Sequence, residues 1–392
     1  MYNKTIESVV AENLEITCFH SEHRSKALAF FILQGRFLFM RRINMQKSKK
    51  KLIVKVIAIF LAIVIIAVGS FGGYLLYRFN CDKSNATNNY DTVYSADQVK
   101  LSTDDNGIFK VLKINDTHFF DGVCEDDKHT LEDLRVILDK TPCDFIVVDG
   151  DLVEGFNLKP TYDKFGAIDL FSTLIEEYDT PWTFAPGNND FEIDGSNEDI
   201  IAFMMQYEHF IYGNSKDIDG SMQFVIDVYN NDKLVHSVAI MDSGARKPKA
   251  IGSYQPISEN QANWLNDEVN ARKVKTSVFF HMPTNAFQTA YDNGEAYAGF
   301  DMYNTYPYDE IKNDDVFDNV IKDNEYITLI SCGHQHSNNM CSLYNGRYYQ
   351  LSSVSGYSAG RNDFIYPSCT LTTINTIDDN PQTMYSFEQI RT

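Results

Sequence analysis

Apolar positions along this chain come in two patterns, one long uninterrupted run and many short runs that each stop at polar residues. The long run, Val56–Tyr77, holds 22 residues without a charge. As a helix it would span about 33 Å, enough for a hydrocarbon core of roughly 30 Å. It is apolar on every face, which predicts a membrane-spanning helix rather than a buried core helix. Further on, Phe109–Asn115 ends at Asp116-Thr117-His118, and Phe145–Val148 ends at Asp149-Gly150-Asp151. Trp182–Ala185 ends at Pro186-Gly187-Asn188-Asn189-Asp190, Thr276–Phe280 at His281, and Tyr326–Ile330 at Cys332-Gly333-His334-Gln335-His336. These runs predict strands, and the continuous apolar run Phe145–Val148 predicts one covered on both faces.

Helical spacing falls between these strands. Leu131, Leu134, Ile137 and Leu138 mark a helix over Thr130–Lys140, closed by Pro142, and a second helix is expected over Phe165–Tyr178. Ser258 caps a third, running through Arg272, with Gln261 at the capping-box position. Met222–Tyr229 and Leu234–Met241 alternate like antiparallel strands, and short strands follow around Ser342, Tyr348–Ser352 and Thr370–Ile377. There are no internal repeats. The pattern predicts an α/β architecture of two packed sheets with helices outside. In such sheets ligands collect beyond the carboxyl ends of the strands, where the polar stops lie.

Charge divides the chain. Of a net −20, residues 1–80 hold 12 Lys/Arg against 4 Asp/Glu, and the remainder 22 against 50. The acidic body argues against docking on nucleic-acid backbones. Lys47, Lys49, Lys50, Lys51 and Lys55 precede the long apolar run and Arg78 alone follows it, which places the N-terminus in the cytoplasm and the body outside. A cleavable signal peptide, cut near Ala67-Val68-Gly69, is the rival reading. Met45 begins like an anchored bacterial protein, so residues 1–44 are expected to be an over-called start. After the anchor, a stretch rich in Asn, Asp, Ser and Thr predicts a solvated stalk. Of seven cysteines, Cys332 and Cys341 are best placed for a bridge; reduced, buried thiols are the alternative.

The strand ends collect Asp116, His118, Asp151, Asn188, His281, His334 and His336. Carboxylate, imidazole and amide oxygen together suit Mn, Fe or Zn better than Ca or Mg. Seven ligands exceed one tetrahedral ion and suit two divalent ions sharing a carboxylate, a pair able to clamp a phosphoryl group and ionise a bridging water. Gly333 is expected to let the backbone turn tightly before the two histidines. Tyr357, Arg361 and His129 are weaker candidates for substrate contact; His209 and His236 lie outside the motifs and read as structural.

In this order, Asp116-x-His118, Gly150-Asp151, Gly187-Asn188-x-Asp190, His281 and Gly333-His334-x-His336 resemble the signature of the calcineurin-like metallophosphoesterases. Met241–Gly244, Gln261-x-x-Trp264-Leu265, Phe280–Pro283 and Gly333–Asn339 resemble the purple-acid-phosphatase-like branch. The resemblance implies a four-layer αββα sandwich of two mixed sheets, preceded here by one transmembrane helix. It also implies one ion on Asp116, His118 and His336, another on Asn188, His281 and His334, and Asp151 as the bridge. The Gly-Asp-x-x-Tyr of the purple enzymes is absent, since Glu154 stands in the tyrosine's place, so no purple colour is expected. Asn189 replaces a histidine that, in many members, helps stabilise the transition state or protonates the leaving group. Asp190 is expected to orient a neighbouring ligand or acid group.

The domains expected are a cytoplasmic segment at 1–51, an anchor at 52–78, a stalk at 79–107 and the metallophosphoesterase domain at 108–392. The activity implied is extracytoplasmic hydrolysis of phosphate mono- or diesters, small-molecule, nucleotide or lipid, by a cell-surface bacterial enzyme. The rivals are a surface binding protein that keeps the fold without turnover and a structural ectodomain.

Overall fold

The computed structural model describes residues 47–84, 94–96, 99–155, 161–190, 197–244, 256–300, 315–361 and 365–392. The start expected at Met45, and most of the segment before the anchor, lie outside them. A helix of 38 residues, Lys47–Ser84, carries the long apolar run. Its segment Ile53–Gly73 is long and apolar enough to cross a membrane, and Val54, Ile59, Ile65 and Ile66 are exposed. Such a helix is compatible with a membrane anchor or a signal sequence.

In chain order the strands are β1 (Tyr94–Ser95), β2 (Leu101–Ser102), β3 (Ile108–Ile114), β4 (Phe145–Asp149), β5 (Trp182–Ala185), β6 (Ile211–Tyr212), β7 (Gln223–Asn230) and β8 (Lys233–Met241). They continue as β9 (Thr276–Phe279), β10 (Glu295–Ala296), β11 (Ile327–Cys332), β12 (Met340–Tyr344), β13 (Arg347–Leu351), β14 (Cys369–Asn375) and β15 (Tyr385–Ile390). One large sheet has five strands in the order β15-β14-β3-β4-β5 and a second eight in the order β10-β12-β13-β11-β9-β8-β7-β2, while β1 and β6 pair as a small two-stranded sheet. The strands that carry the candidate ligands are parallel neighbours, β3 with β4 and β4 with β5 in one sheet, β9 with β11 in the eight-stranded one. Their carboxyl ends therefore emerge together, which is what positions the site. Within the segment expected to be a stalk, β1 pairs with β6 and β2 with β7. The folded body thus reaches back before residue 108; two-residue strands in a polar stretch leave no apolar period to read.

The period-two alternation of side chains sorts the eight-stranded sheet into two faces. Phe279, Leu329 and Tyr348 join the layer between the sheets, while Val278, Ile330 and Tyr349 join the opposite face. That opposite face is covered by the helices Glu259–Arg272 and Val316–Ile321 through Trp264, Leu265, Val269, Phe317 and Ile321. The helices Glu125–Lys140 and Lys164–Glu176 bury Leu134, Ile137, Phe165, Ile168 and Phe171 with residues of β3 to β5. Two sheets and two helical coats make the four-layer αββα sandwich. Ser258 and Gln261 form the capping box at the start of Glu259–Arg272. The helix expected from Thr130 begins instead at Glu125, because Glu125, Asp126 and Asp127 favour the positive end of the helix dipole without adding an apolar period.

The same alternation separates Cys332 from Cys341. Strand β13 lies between them, with Cys332 opposite Leu351 and Cys341 opposite Gln350. Two strand spacings, about 9.6 Å, exceed the reach of a disulfide. The two thiols also face different layers; both are buried and free.

Candidate metal centre

Every candidate ligand stands within five residues of a strand's carboxyl end, and the loops are stitched to one another by backbone hydrogen bonds. The amides of Asp116 and His118 donate to the carbonyls of Gly150 and Asp151, each at 3.0 Å, and that of Gly333 to His281 at 3.1 Å. Asp116, His118, Asp151 and His334 all have left-handed backbones, with φ of 52, 50, 49 and 70°. Non-glycine residues rarely adopt that region, and clusters of them mark sites where geometry is imposed on the chain. At the Gly333 turn it is therefore His334 that takes the left-handed conformation. Gly333 serves close approach instead, since a Cβ there would stand 2.6 Å from Asp116 Oδ2. A Cβ on Gly187 would likewise stand 2.2 Å from the Asp151 amide, so the loops bearing Asp151 and Asn188 can touch only with glycine there.

The side chains converge as two groups that share Asp151. Asp116, His118, Asp151 and His336 place ligand atoms within 4.8 Å of one another, as do Asp151, His281 and His334. Asp116 Oδ1 lies 3.3 Å from His336 Nε2, and Asp151 Oδ2 lies 3.2 Å from His281 Nε2 and 3.5 Å from His118 Nε2. The Nε2 atoms of His118 and His336 face each other at 3.1 Å. Asn188 is buried in the adjoining loop with its Oδ1 unbonded among the described residues.

Outer partners aim the imidazoles. His281 Nδ1 donates to the Asp149 carbonyl at 2.7 Å and His336 Nδ1 to the Gly360 carbonyl at 2.6 Å, which leaves each Nε2 facing inward. His118 Nδ1 meets the Glu154 carboxylate at 3.2 Å. Glu154 was not singled out as a site residue from sequence, although the signal was there: it occupies the tyrosine position of the purple-enzyme motif.

Electrostatics at the centre call for cations. Burial opposes ionisation of Asp116, but His281 and His336 hold its carboxyl down at about 2. Asp151 is likewise held below the usual carboxylate range by His281 and His118 against burial. In return, against burial, Asp151 and Asp116 pull His281 up to about 10 and Asp116 raises His336. Among the described residues, Asp116 Oδ1, His281 Nε2 and Asn188 Oδ1 are buried without a hydrogen-bond partner. Orphaned lone pairs of this kind are rare in native interiors, and divalent cations, which the donor set fits, would satisfy them.

Asn189 turns toward Asp151: its amide donates to Oδ1 at 2.7 Å and its carboxamide to Oδ2 at 2.8 Å. Asp190 accepts from the amides of Asp151 at 2.9 Å and Gly187 at 2.8 Å, joining the loops that carry Asp151 and Asn188. Burial, then the neighbouring Asp151, push the Asp190 carboxyl up to about 7. Tyr357, His129 and Arg361 form a cluster of their own. Tyr357 donates to Asp133 and packs on His129, and the Arg361 guanidinium is taken up by the carbonyls of Tyr357, Ala359 and Ile365. His209 pairs with Glu176 and His236 with Ser277. A cleft of about 470 Å³ opens beside His118, lined by Phe120, Asp121, Asp126, Glu154 and Thr161 among others.

A two-sheet sandwich that gathers aspartate and histidine at its strand ends is the arrangement expected of a metallophosphoesterase. Residues 109–338 match the calcineurin-like phosphoesterase family, and the chain belongs to it. Two relatives from Arabidopsis thaliana are named probable inactive purple acid phosphatases. Number 29 is 24% identical over 305 residues, covering 68% of this chain and 76% of its own length. Number 28 is 22% identical over 302 residues, covering 65% and 72%. Among solved structures, a dimetal phosphatase from Danio rerio aligns with a TM-score of 0.48 at 12% identity, over 68% of this chain and 95% of its own.

Proposed function

We propose that this chain is a membrane-anchored phosphoesterase with a dinuclear centre, facing away from the cytoplasm of a bacterial cell. The observation that carries the reading is the convergence of two ligand groups on one shared carboxylate, Asp151. Asp116, His118 and His336 hold one ion, Asn188, His281 and His334 the other, and Asp151 bridges them. Two divalent ions, Mn, Fe or Zn, supply Lewis acidity and ionise water at neutral pH when bound.

The chain's own residues do the positioning. Asp190 locks the Asp151 and Asn188 loops together, and Asn189 holds the Asp151 carboxylate. The cleft beside His118 gives the ester's alcohol portion a place to lie. The substrate is a phosphate mono- or diester of a small molecule, nucleotide or lipid. The apolar helix and its basic flank support the anchor and its orientation.

A second reading, a surface binding protein that keeps the centre without turnover, is favoured by the carboxamide of Asn189, which is spent on Asp151 and is no acid at neutral pH. Metal-loaded protein offered p-nitrophenyl phosphate and the bis ester separates the two. The enzyme reading expects metal-dependent release of nitrophenolate from at least one of them; full metal occupancy with no release would leave the binding protein.

A further inference from the structure

Beneath the ligand loops, between the two sheets, a lysine and an aspartate are sealed from solvent. Lys113 on β3 is 1% exposed and Asp149, the last residue of β4, 0%. The Lys113 ammonium lies 3.5 Å from Asp149 Oδ2 and donates to the carbonyl of Cys332, the last residue of β11, at 2.6 Å. The ammonium apart, neither carboxylate oxygen of Asp149 has a hydrogen-bond donor among the described residues. The Asp149 backbone carbonyl accepts from His281 Nδ1. The Cys332 carbonyl also accepts from the Ser352 amide.

These contacts touch every strand that feeds the centre except β5. Lys113 stands three residues before Asp116, Asp149 two before Asp151, and Cys332 two before His334. Lys113 and Asp149 belong to the five-stranded sheet, Cys332 and His281 to strands or strand ends of the eight-stranded one. The ammonium is thus a tie across the sandwich at the level where the two ligand sets must meet. Burying two charges is a poor way to stabilise a fold, because desolvation offsets their attraction and well-packed apolar groups do as well or better. What apolar side chains cannot do is fix a carbonyl and a carboxylate from opposite sheets at one point.

We infer that the Lys113–Asp149 pair is a positioning device that sets the distance between the ligand loops of the two sheets, and so tunes metal affinity rather than stability. This rests on the reading of the strand ends as a metal centre.

The test replaces both charges at once, Lys113→Met with Asp149→Leu, in the full chain. Thermal unfolding of chelator-treated protein and calorimetric titration with Mn²⁺ or Zn²⁺ are measured on wild type and variant. The expected result is an unfolding midpoint equal to or above that of wild type with Mn²⁺ or Zn²⁺ affinity reduced about 10- to 100-fold, the range for lost outer partners of metal ligands. Excess metal should restore nitrophenyl phosphate hydrolysis. Unchanged metal affinity in a folded double variant would overturn the inference, as would a drop in stability that fully accounts for the lost affinity. Should the double variant not fold, Asp149→Asn decides, with reduced affinity expected and wild-type affinity overturning the proposal. Wild-type protein that takes up no metal would instead overturn the metal-centre reading itself, and this one with it.

Discussion

In the middle of the sandwich Leu329 and Tyr348 fill the space between the sheets with apolar bulk, whereas at the strand ends stand His281 and His334 and, on the facing sheet, the Lys113–Asp149 pair beneath them. The middle follows the ordinary rule of burial: side chains alternate face by face, and each apolar group removed from water favours the folded chain. The strand ends break that rule repeatedly, with buried carboxylates, a buried ammonium, unbonded imidazole nitrogen and four left-handed non-glycine residues. Each of those features costs free energy unless something at the site offsets it. The difference teaches that stability and chemistry occupy successive stretches of one strand, and so can be altered separately.

The largest expected effect comes from the apolar region. Leu329→Ala should destabilise the fold by about 2–5 kcal/mol, read from denaturant unfolding, because it removes a fully buried side chain from between the sheets. The folded fraction should bind metal as wild type does. A matching loss of metal affinity would erase the proposed separation.

A smaller effect is expected at Asn189. An imidazole there has a proton to give to a poor leaving group, and general acid help is typically worth about 10²–10⁴ in rate. Nitrophenolate leaves well without help, so Asn189→His should raise kcat/KM for alkyl phosphates relative to nitrophenyl phosphate by about tenfold or more. The variant also gives up the carboxamide bond to Asp151, so metal occupancy is measured alongside. An unchanged ratio at full occupancy would show that position 189 serves Asp151 and not the leaving group.

Strand existence and strand ends were legible in the sequence because β3, β4, β5, β9 and β11 are apolar runs that stop abruptly at Asp, Asn or His. The sandwich followed from those runs with the helices between them, and the candidate ligands were the polar stops themselves. Less was visible where periodicity fails. The turn Glu125–Lys128 is helical but wholly polar, and β2 is two residues long. The bonds that Asn189, Asp190 and Glu154 make depend on loops from different strands meeting in space, which spacing along one chain does not encode. Lys113 was invisible for a different reason: a lysine within a strand reads as a position open to water, yet it is buried under the ligand loops. The candidate bridge between Cys332 and Cys341 failed because sequence distance says nothing about an intervening strand.

Asp151 is the one residue common to both ligand groups, so metal content tests the account most directly. Elemental analysis of purified, metal-loaded protein should give about two equivalents per chain, as a paired site requires. His118→Ala should lose mainly one of them and Asp151→Asn should weaken both. An Asp151→Asn protein that still carries its full complement would contradict the shared bridge.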